Sequence, residues 1–296
     1  MHALWLALLL VQAPPPTRTD NVRELLHGVE VLDPYRWLED RASPETQAWI
    51  EAQNRYSRPL LESLPERSAI ERRLLELMRT DAVQTPFARA GRYFFLRKGA
   101  AQEQFVLYMR EGLRGRDQAL VDPHPWSADH TASIQLMDVS EDAAWLAYGV
   151  RRGGEDEVEV RFFDVQAMRD LPFSLPRARY YSVALRPARR GLYYSRYTPE
   201  GPRVYTREAT GGSERETFGQ GYGPGTAVTC QLSADGRHLL MHVLYGASDD
   251  RTDVASSTWP AERFTPSCAT CLRRFSCSQR ARVSWCTPTG VRPTGA

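Results

Sequence analysis

Three apolar runs of strand character recur along this sequence at a constant interval. Ala144-Trp145-Leu146-Ala147-Tyr148 follows a Ser140-Glu141-Asp142 turn, Leu192-Tyr193-Tyr194-Ser195-Arg196 follows Arg189-Arg190-Gly191, and His238-Leu239-Leu240-Met241 follows Ser233-Ala234-Asp235-Gly236. Trp145 and Leu192 are 47 residues apart, and so are Leu192 and Leu239. A period of ~40–50 residues holding several strands marks propeller blades, units that cannot bury their own faces and need neighbours. The period-2 alternation begins at Arg92, with Tyr93 to Leu96, Phe105 to Tyr108 and Ala119 to Val121 as short strands between turn residues. The spacing predicts an incomplete β-propeller over 90–254, with three blades and the start of a fourth. A β-sandwich with coincidental spacing is the alternative.

Upstream the apolar period is helical. Ser43, Pro44 and Glu45 form a helix start: a cap, a first-turn proline and an acid at the positive end of the dipole. Trp49, Ala52 and Tyr56 then recur at helical spacing, and Pro59 is expected to end the run. Ser68 with Glu71 reads as a capping box for a second helix, whose face carries Ile70, Leu74, Leu77 and Met78. Residues 21–85 are thus expected to be an amphipathic helical segment in need of a partner. Residues 1–20 read as a signal-like segment and linker. The nine-residue apolar run Ala3 to Val11 is too short for a stable membrane span, which takes ~20 residues. It has the length of an export signal's core, with Val11-Gln12-Ala13 resembling a cleavage site, although the positive amino-terminal region is missing. An exported, periplasmic chain is favoured over a cytoplasmic one.

Between these regions lies Asp33-Pro34-Tyr35-Arg36-Trp37-Leu38-Glu39-Asp40, a compact anchor in which Pro34 restricts the backbone and three large apolar side chains offer a docking surface. With Thr19-Asp20, His27-Gly28 and the Glu45 to Asn54 run that follows, it resembles the amino-terminal segment of the prolyl oligopeptidase family of serine peptidases. The resemblance continues more loosely to about Val254. It implies a helical segment, a seven-bladed propeller and a carboxy-terminal α/β-hydrolase domain with a Ser-Asp-His triad, cleaving short proline-containing peptides after proline. By that comparison the sequence halts midway through the propeller, and the hydrolase domain would be its natural packing partner.

From Ala255 to Ala296 the composition shifts. Four of the five cysteines, six arginines and the lone acid Glu262 fall in this stretch. Lys98 is the only lysine in the chain, against 37 arginines, which points to GC-rich coding. An out-of-frame tail, disordered and dispensable, is therefore the leading reading of 255–296, and an authentic variable tail is the other. The formal net charge of +2 gives no argument for a nucleic-acid partner.

No catalytic, cofactor-binding or metal-binding residue is assigned. The family's nucleophile sits in a Gly-x-Ser-x-Gly elbow, and no such pentapeptide occurs; Gly211-Gly212-Ser213-Glu214-Arg215 lacks the final glycine and reads as a blade turn. His2, His27, His124, His130, His238 and His242 have no nucleophile or carboxylate at family spacing. Cys268, Cys271, Cys277 and Cys286 hold only one close pair, a poor match to a tetrahedral zinc site, and a cysteine-rich metal-binding tail is the least favoured reading. Cys230 is expected to be buried in a strand. Gly219-x-Gly221-x-Gly223-Pro224-Gly225 lacks the lysine of a phosphate loop and reads as a flexible inter-blade connection. By the resemblance, Tyr180 aligns with an aromatic residue facing the propeller cavity, with core packing as its alternative. The functional expectation is an amino-terminal propeller fragment of a prolyl oligopeptidase-like peptidase, inactive alone. The alternative is a non-catalytic propeller-type binding module.

Overall fold

In a computed structural model of the chain, His27 and Gly28 both adopt positive φ, 50° and 81°, and close a two-residue hairpin between β1 (Val22–Leu26) and β2 (Val29–Asp33). Such turns match the twist of antiparallel strands, so this part of the expected helical segment is β structure instead. The structure describes residues 13–209, 212–233, 236–246, 252–258 and 264–268; the signal-like run Ala3 to Val11 lies outside them. Two compact units divide between Arg79 and Thr80.

In the first unit the anchor octapeptide is held by charge and aromatic contacts. Arg36 donates to Asp33 at 2.7 Å and to Glu24 at 2.6 Å, and the guanidinium holds the Asp33 carboxyl below its usual range. Trp37 packs edge-on to Trp49 with ring centroids 6.4 Å apart. Each indole also donates to the preceding stretch, Trp37 to the Arg18 carbonyl and Trp49 to Thr17 Oγ1, both at 2.9 Å. The stretch expected to be a linker is thus pinned across a helix. That helix, α1 (Pro44–Glu62), is capped as expected, Ser43 Oγ accepting the Thr46 N–H at 3.1 Å. It runs three residues past Pro59, because there the missing donor costs only the bond to Arg55 near the helix end. α2 (Arg67–Met78) begins one residue before Ser68, which therefore lies in the first turn rather than at the cap. Leu61, Ile70, Leu74, Leu77 and Met78 are exposed.

Among the described residues the second unit contains four antiparallel sheets. The first holds β3 (Ala82–Val83), β4 (Phe87–Arg89), β5 (Arg92–Lys98), β6 (Val106–Glu111) and β7 (Asp117–Val121), with β3 and β4 both pairing β5. The second runs β8 (Ser133–Val139), β9 (Trp145–Arg151), β10 (Val158–Asp164), β11 (Arg169–Ala178); the third β12 (Ser182–Leu185), β13 (Leu192–Thr198), β14 (Gly201–Arg207), β15 (Arg215–Phe218). The fourth is β16 (Thr226–Leu232), β17 (His238–Tyr245), β18 (Thr252–Thr258) and β19 (Phe264–Cys268).

The repeat seen in the sequence is a repeat of register. Val139 pairs Leu146, Leu185 pairs Leu192, and Leu232 pairs Leu239, each pair closing a six-residue loop. In each loop the first N–H donates to the last carbonyl: Ser140 to Trp145, Arg186 to Gly191, Ser233 to His238, at 2.8–3.0 Å. The fourth loop position has positive φ in all three, at Ala143, Arg189 and Gly236.

Alternation along the strands sorts side chains to two neighbours at once. On β9, Leu146, Tyr148 and Val150 pack with Phe94, Leu96 and Leu107 of the first sheet. Trp145 and Ala147, on the other face, pack with Val183, Leu185, Leu192 and Tyr194 of the third. Tyr193 and Val204 of the third sheet then pack with Val228, Leu239 and Met241 of the fourth. A sandwich would bury one face of each sheet; here the middle sheets are buried on both, as blades are. On the outer face of the first sheet, Arg97 and Arg110 cover Tyr108 and Phe95, and both pair with Asp117, whose carboxyl Arg110 holds low.

The strand pattern does not stop at Val254. β18 pairs with seven residues of β17, and four of those pairings, from Ala255 to Thr258, lie beyond the expected break. β18 lies between β17 and β19 and is held by backbone bonds to both, which need little apolar periodicity, so the composition shift hid it. A chain ending at Val254 is expected to melt at a lower temperature than the full chain, by calorimetry; an unchanged transition would mean that β18 adds nothing. Cys271, Cys277 and Cys286 lie outside the described residues.

Candidate functional site

β4 of the first sheet and the first strands of the other three, β8, β12 and β16, line one cavity of about 980 Å³. Its wall is mixed. Gln135, Thr229 and Gln231 supply polar groups, whereas Phe87, Val183 and Leu185 supply apolar surface. These residues arrive there because the cavity runs along the inner strands, and consecutive residues of β8 (135–139) and β16 (229–232) border it.

The inner strands are fastened to one another around this cavity. Arg89 Nε donates to the Val139 carbonyl at 3.2 Å, joining the first sheet to the second. Asp138 Oδ2 accepts the Leu185 N–H at 2.8 Å and its Oδ1 accepts the Val139 N–H at 2.9 Å, joining the second to the third. Ser182 Oγ accepts the Cys230 N–H at 2.7 Å and lies 2.7 Å from Ser195 Oγ, joining the third to the fourth. Burial pushes the Asp138 carboxyl up to about 6, against the pull of its two backbone donors and of Arg89. Burial likewise pushes the Cys230 thiol up to about 12, which leaves it protonated and unreactive at neutral pH.

The tyrosine on the cavity wall is Tyr181, one residue beyond the position singled out in the sequence. Its hydroxyl donates to the Pro176 carbonyl at 2.5 Å, and burial raises it to about 12. Tyr180 points elsewhere: it is 66% exposed, has a φ of 56°, and sets its ring edge-on to Tyr197 at 5.7 Å. Tyr180 and Tyr181 line a second cavity of about 280 Å³ that shares Gln135 and Met137 with the first.

The remaining candidates stay apart. Ser213 is exposed in the turn before β15, with no helix following it. His27 is in the first unit's hairpin turn. His124 and His130 stack edge to face at 5.5 Å and pair with Asp122 and Glu103 respectively. His242 Nδ1 lies 3.5 Å from Thr229 Oγ1, and burial lowers its pKa. Among the described residues no carboxylate orients the ring, so the contact lacks the third member of a triad. Gly219 to Gly225 forms the connection between β15 and β16, and it is not loose at its start: a Cβ on Gly219, at φ 113°, would stand 2.4 Å from the Pro202 carbonyl oxygen. Among the described residues no cluster of three or more His, Cys, Asp or Glu could hold a metal ion, and no helix is long and apolar enough to cross a membrane. The cavity can hold an extended polar chain against an apolar wall.

The family model described as "Prolyl oligopeptidase, N-terminal beta-propeller domain" matches residues 14–265. The chain belongs to the prolyl oligopeptidase family, as its N-terminal propeller segment. The match runs past Val254 and ends within β19, in agreement with the completed fourth sheet. The prolyl endopeptidase of Elizabethkingia miricola is 26% identical over 183 residues, covering 62% of this chain and 26% of that protein. Prolyl oligopeptidase A of Galerina marginata is 27% identical over 214 residues, covering 62% and 28%. The chain thus spans about a quarter of the length of these prolyl oligopeptidase relatives. A solved structure from work on two prolyl endopeptidases and their inter-domain dynamics superposes with a TM-score of 0.75 at 31% identity, over 85% of this chain and 39% of that one. Galerina marginata prolyl oligopeptidase B, solved with a 35mer hydrolysis and macrocyclization substrate, superposes with a TM-score of 0.66 at 17% identity, over 87% of this chain and 41% of that one; this is a likeness of fold alone.

Asp138 was not legible as a cavity residue from the sequence. Its only signal was a carboxylate standing directly before Val139 in a run of strand character, where a second apolar or neutral residue is the ordinary occupant.

Proposed function

We propose that this chain forms the peptide-admitting propeller side of a prolyl oligopeptidase-type serine peptidase and has no peptidase activity by itself. The cavity between the inner strands would receive short proline-containing peptides. The nucleophile, base and oxyanion donors would come from an α/β-hydrolase domain packed on the propeller. The observation that carries the reading is the mixed polar and apolar wall built by β4, β8, β12 and β16, one strand from each of four successive sheets. A wall of that kind suits a peptide, whose backbone needs hydrogen-bond partners and whose proline rings need apolar contact. Acid–base assistance is typically worth ~10²–10⁴-fold, and neither Ser213 nor the Thr229–His242 contact offers a geometry that supplies it.

Purified chain is expected to give no turnover of a Gly-Pro chromogenic peptide above buffer. Turnover that is lost in Ser213→Ala and blocked by a fluorophosphonate would overturn the proposal.

A further inference from the structure

The smaller cavity beside the inner strands contains an arginine without a partner. Arg151 closes β9, opposite Ser133 of β8, and its Nε is buried with no hydrogen-bond partner. The charges around it are otherwise matched. Arg177 pairs with Glu155 and Glu157, and Arg179 lies 3.8 Å from Asp156. No such carboxylate reaches Arg151 among the described residues. A buried guanidinium edge left unpaired is costly, and a planar two-oxygen anion is the group that its donors fit best.

The rest of the cavity frames such a group. Arg179 stands on its wall as a second cation, 3.8 Å from Asp156, an exposed carboxylate that also lines the cavity and pairs with Arg179 rather than with Arg151. Gln135 contributes an amide shared with the larger cavity. Tyr180 forms the remaining side with a backbone that bulky residues rarely adopt, at φ 56°, in the three-residue connection from β11 to β12. Strain of this sort persists where the surroundings impose it and clusters at ligand contacts. The exposed Tyr180 ring gives a flat apolar face beside the two arginines.

We propose that this cavity is a carboxylate subsite, in which Arg151, assisted by Arg179, binds the terminal carboxylate of a short peptide while the adjoining residue lies against Tyr180. The inference rests on the peptide-admitting reading of the larger cavity, with which it shares Gln135, Met137 and Tyr181. It adds a preference for free peptide ends over blocked ones. Arg151 and Arg179 act here by binding and positioning, with no part in bond breaking.

The test compares acetyl-Gly-Pro with acetyl-Gly-Pro-amide on the full chain by ligand-observed NMR titration. The free acid is expected to bind about tenfold more tightly, the ratio that one charge-assisted contact supplies. Arg151→Gln is expected to remove that preference and leave amide binding unchanged, and Arg151→Lys to restore part of it. If Arg151→Gln loses its folded circular dichroism spectrum, Arg179→Gln at the exposed wall carries the same comparison with a smaller expected loss. Equal binding of acid and amide would overturn the carboxylate subsite and leave the peptide reading standing. Absence of binding by either would overturn both. Displacement of the acid by inorganic phosphate as readily as by acetate would also overturn it, since a general anion site has no preference for a planar carboxylate.

Discussion

Trp145→Ala is expected to destabilise the second unit by about 3–5 kcal/mol, the range for emptying a large buried aromatic site. Trp145 is fully buried and is the first residue of β9. Its ring lies 5.7 Å from Phe162 of its own sheet and packs in the cluster that includes Val183, Leu185, Leu192 and Tyr194 of the next. Its Nε1 donates to the Arg186 carbonyl at 3.4 Å, again across the seam. Removal of this one side chain therefore opens a void between two sheets and takes away a hydrogen bond across the seam. A loss of that size is a large part of a domain's net stability of ~5–15 kcal/mol. Urea unfolding monitored by far-ultraviolet circular dichroism reads it directly, and Trp145→Phe should recover much of the loss. A shift below about 1 kcal/mol, the level of an ordinary surface change, would show that the second and third sheets do not depend on this contact.

The second large effect is a pH dependence centred on Asp138. Its carboxyl titrates at about 6 in the folded chain, raised from 3.8 by burial at the seam between β8 and β12. A carboxyl raised on folding binds its proton more tightly in the native state. It therefore adds stability as pH falls through 6 and has added all it can once pH passes below 3.8. Between pH 7 and pH 5 the gain is about 1.4 kcal/mol, one tenfold step in proton affinity. Other groups act the opposite way. His242, lowered by burial, loses stability for the fold as pH drops below its ordinary 6.5, and Asp33 and Asp117, both lowered by arginine partners, do so below about pH 4. The clean reading is the difference between the chain and Asp138→Asn, in which His242 and the lowered carboxylates cancel. That difference should move in favour of the unmodified chain as pH falls from 7 to 5. A flat difference would mean that Asp138 stays ionised throughout, held by Arg89 and the two backbone donors.

The spacing of Trp145, Leu192 and Leu239 made the propeller legible because a repeat of hairpin register is also a repeat of sequence. The cap at Ser43 was legible for a similar reason: a helix start is a local event. The errors fall where structure is set by something other than apolar period. The β1–β2 hairpin is fixed by the positive φ values of His27 and Gly28, and its strand residues are largely exposed, so they carry little alternation. β18 is held through backbone pairing with β17 and β19, and its Thr-Asp-Val-Ala-Ser-Ser-Thr sequence advertises nothing. The cavity was harder still. Asp138 meets Leu185 across 47 residues of sequence, and only superposing one blade on the next puts them side by side. Tyr180 and Tyr181 are adjacent and chemically identical, and which one faces the cavity depends on the strained φ at the first.

The seams described above are directional. The second and third sheets each offer an acceptor from the inner strand, Asp138 or Ser182, and it is received on a backbone N–H of the next, Leu185 or Cys230. The joints are head-to-tail, and an array built of them has no internal reason to prefer one length. Every ladder in the second to fourth sheets is also drawn from one uninterrupted stretch of chain, and the connections between sheets, such as 179–181 and 219–225, lie between ladders. Duplication or loss of a single unit during gene recombination, with its endpoints in those connections, would therefore deliver or remove one complete donor edge and one complete acceptor edge together. The number of blades can then change by whole steps without leaving a seam half made.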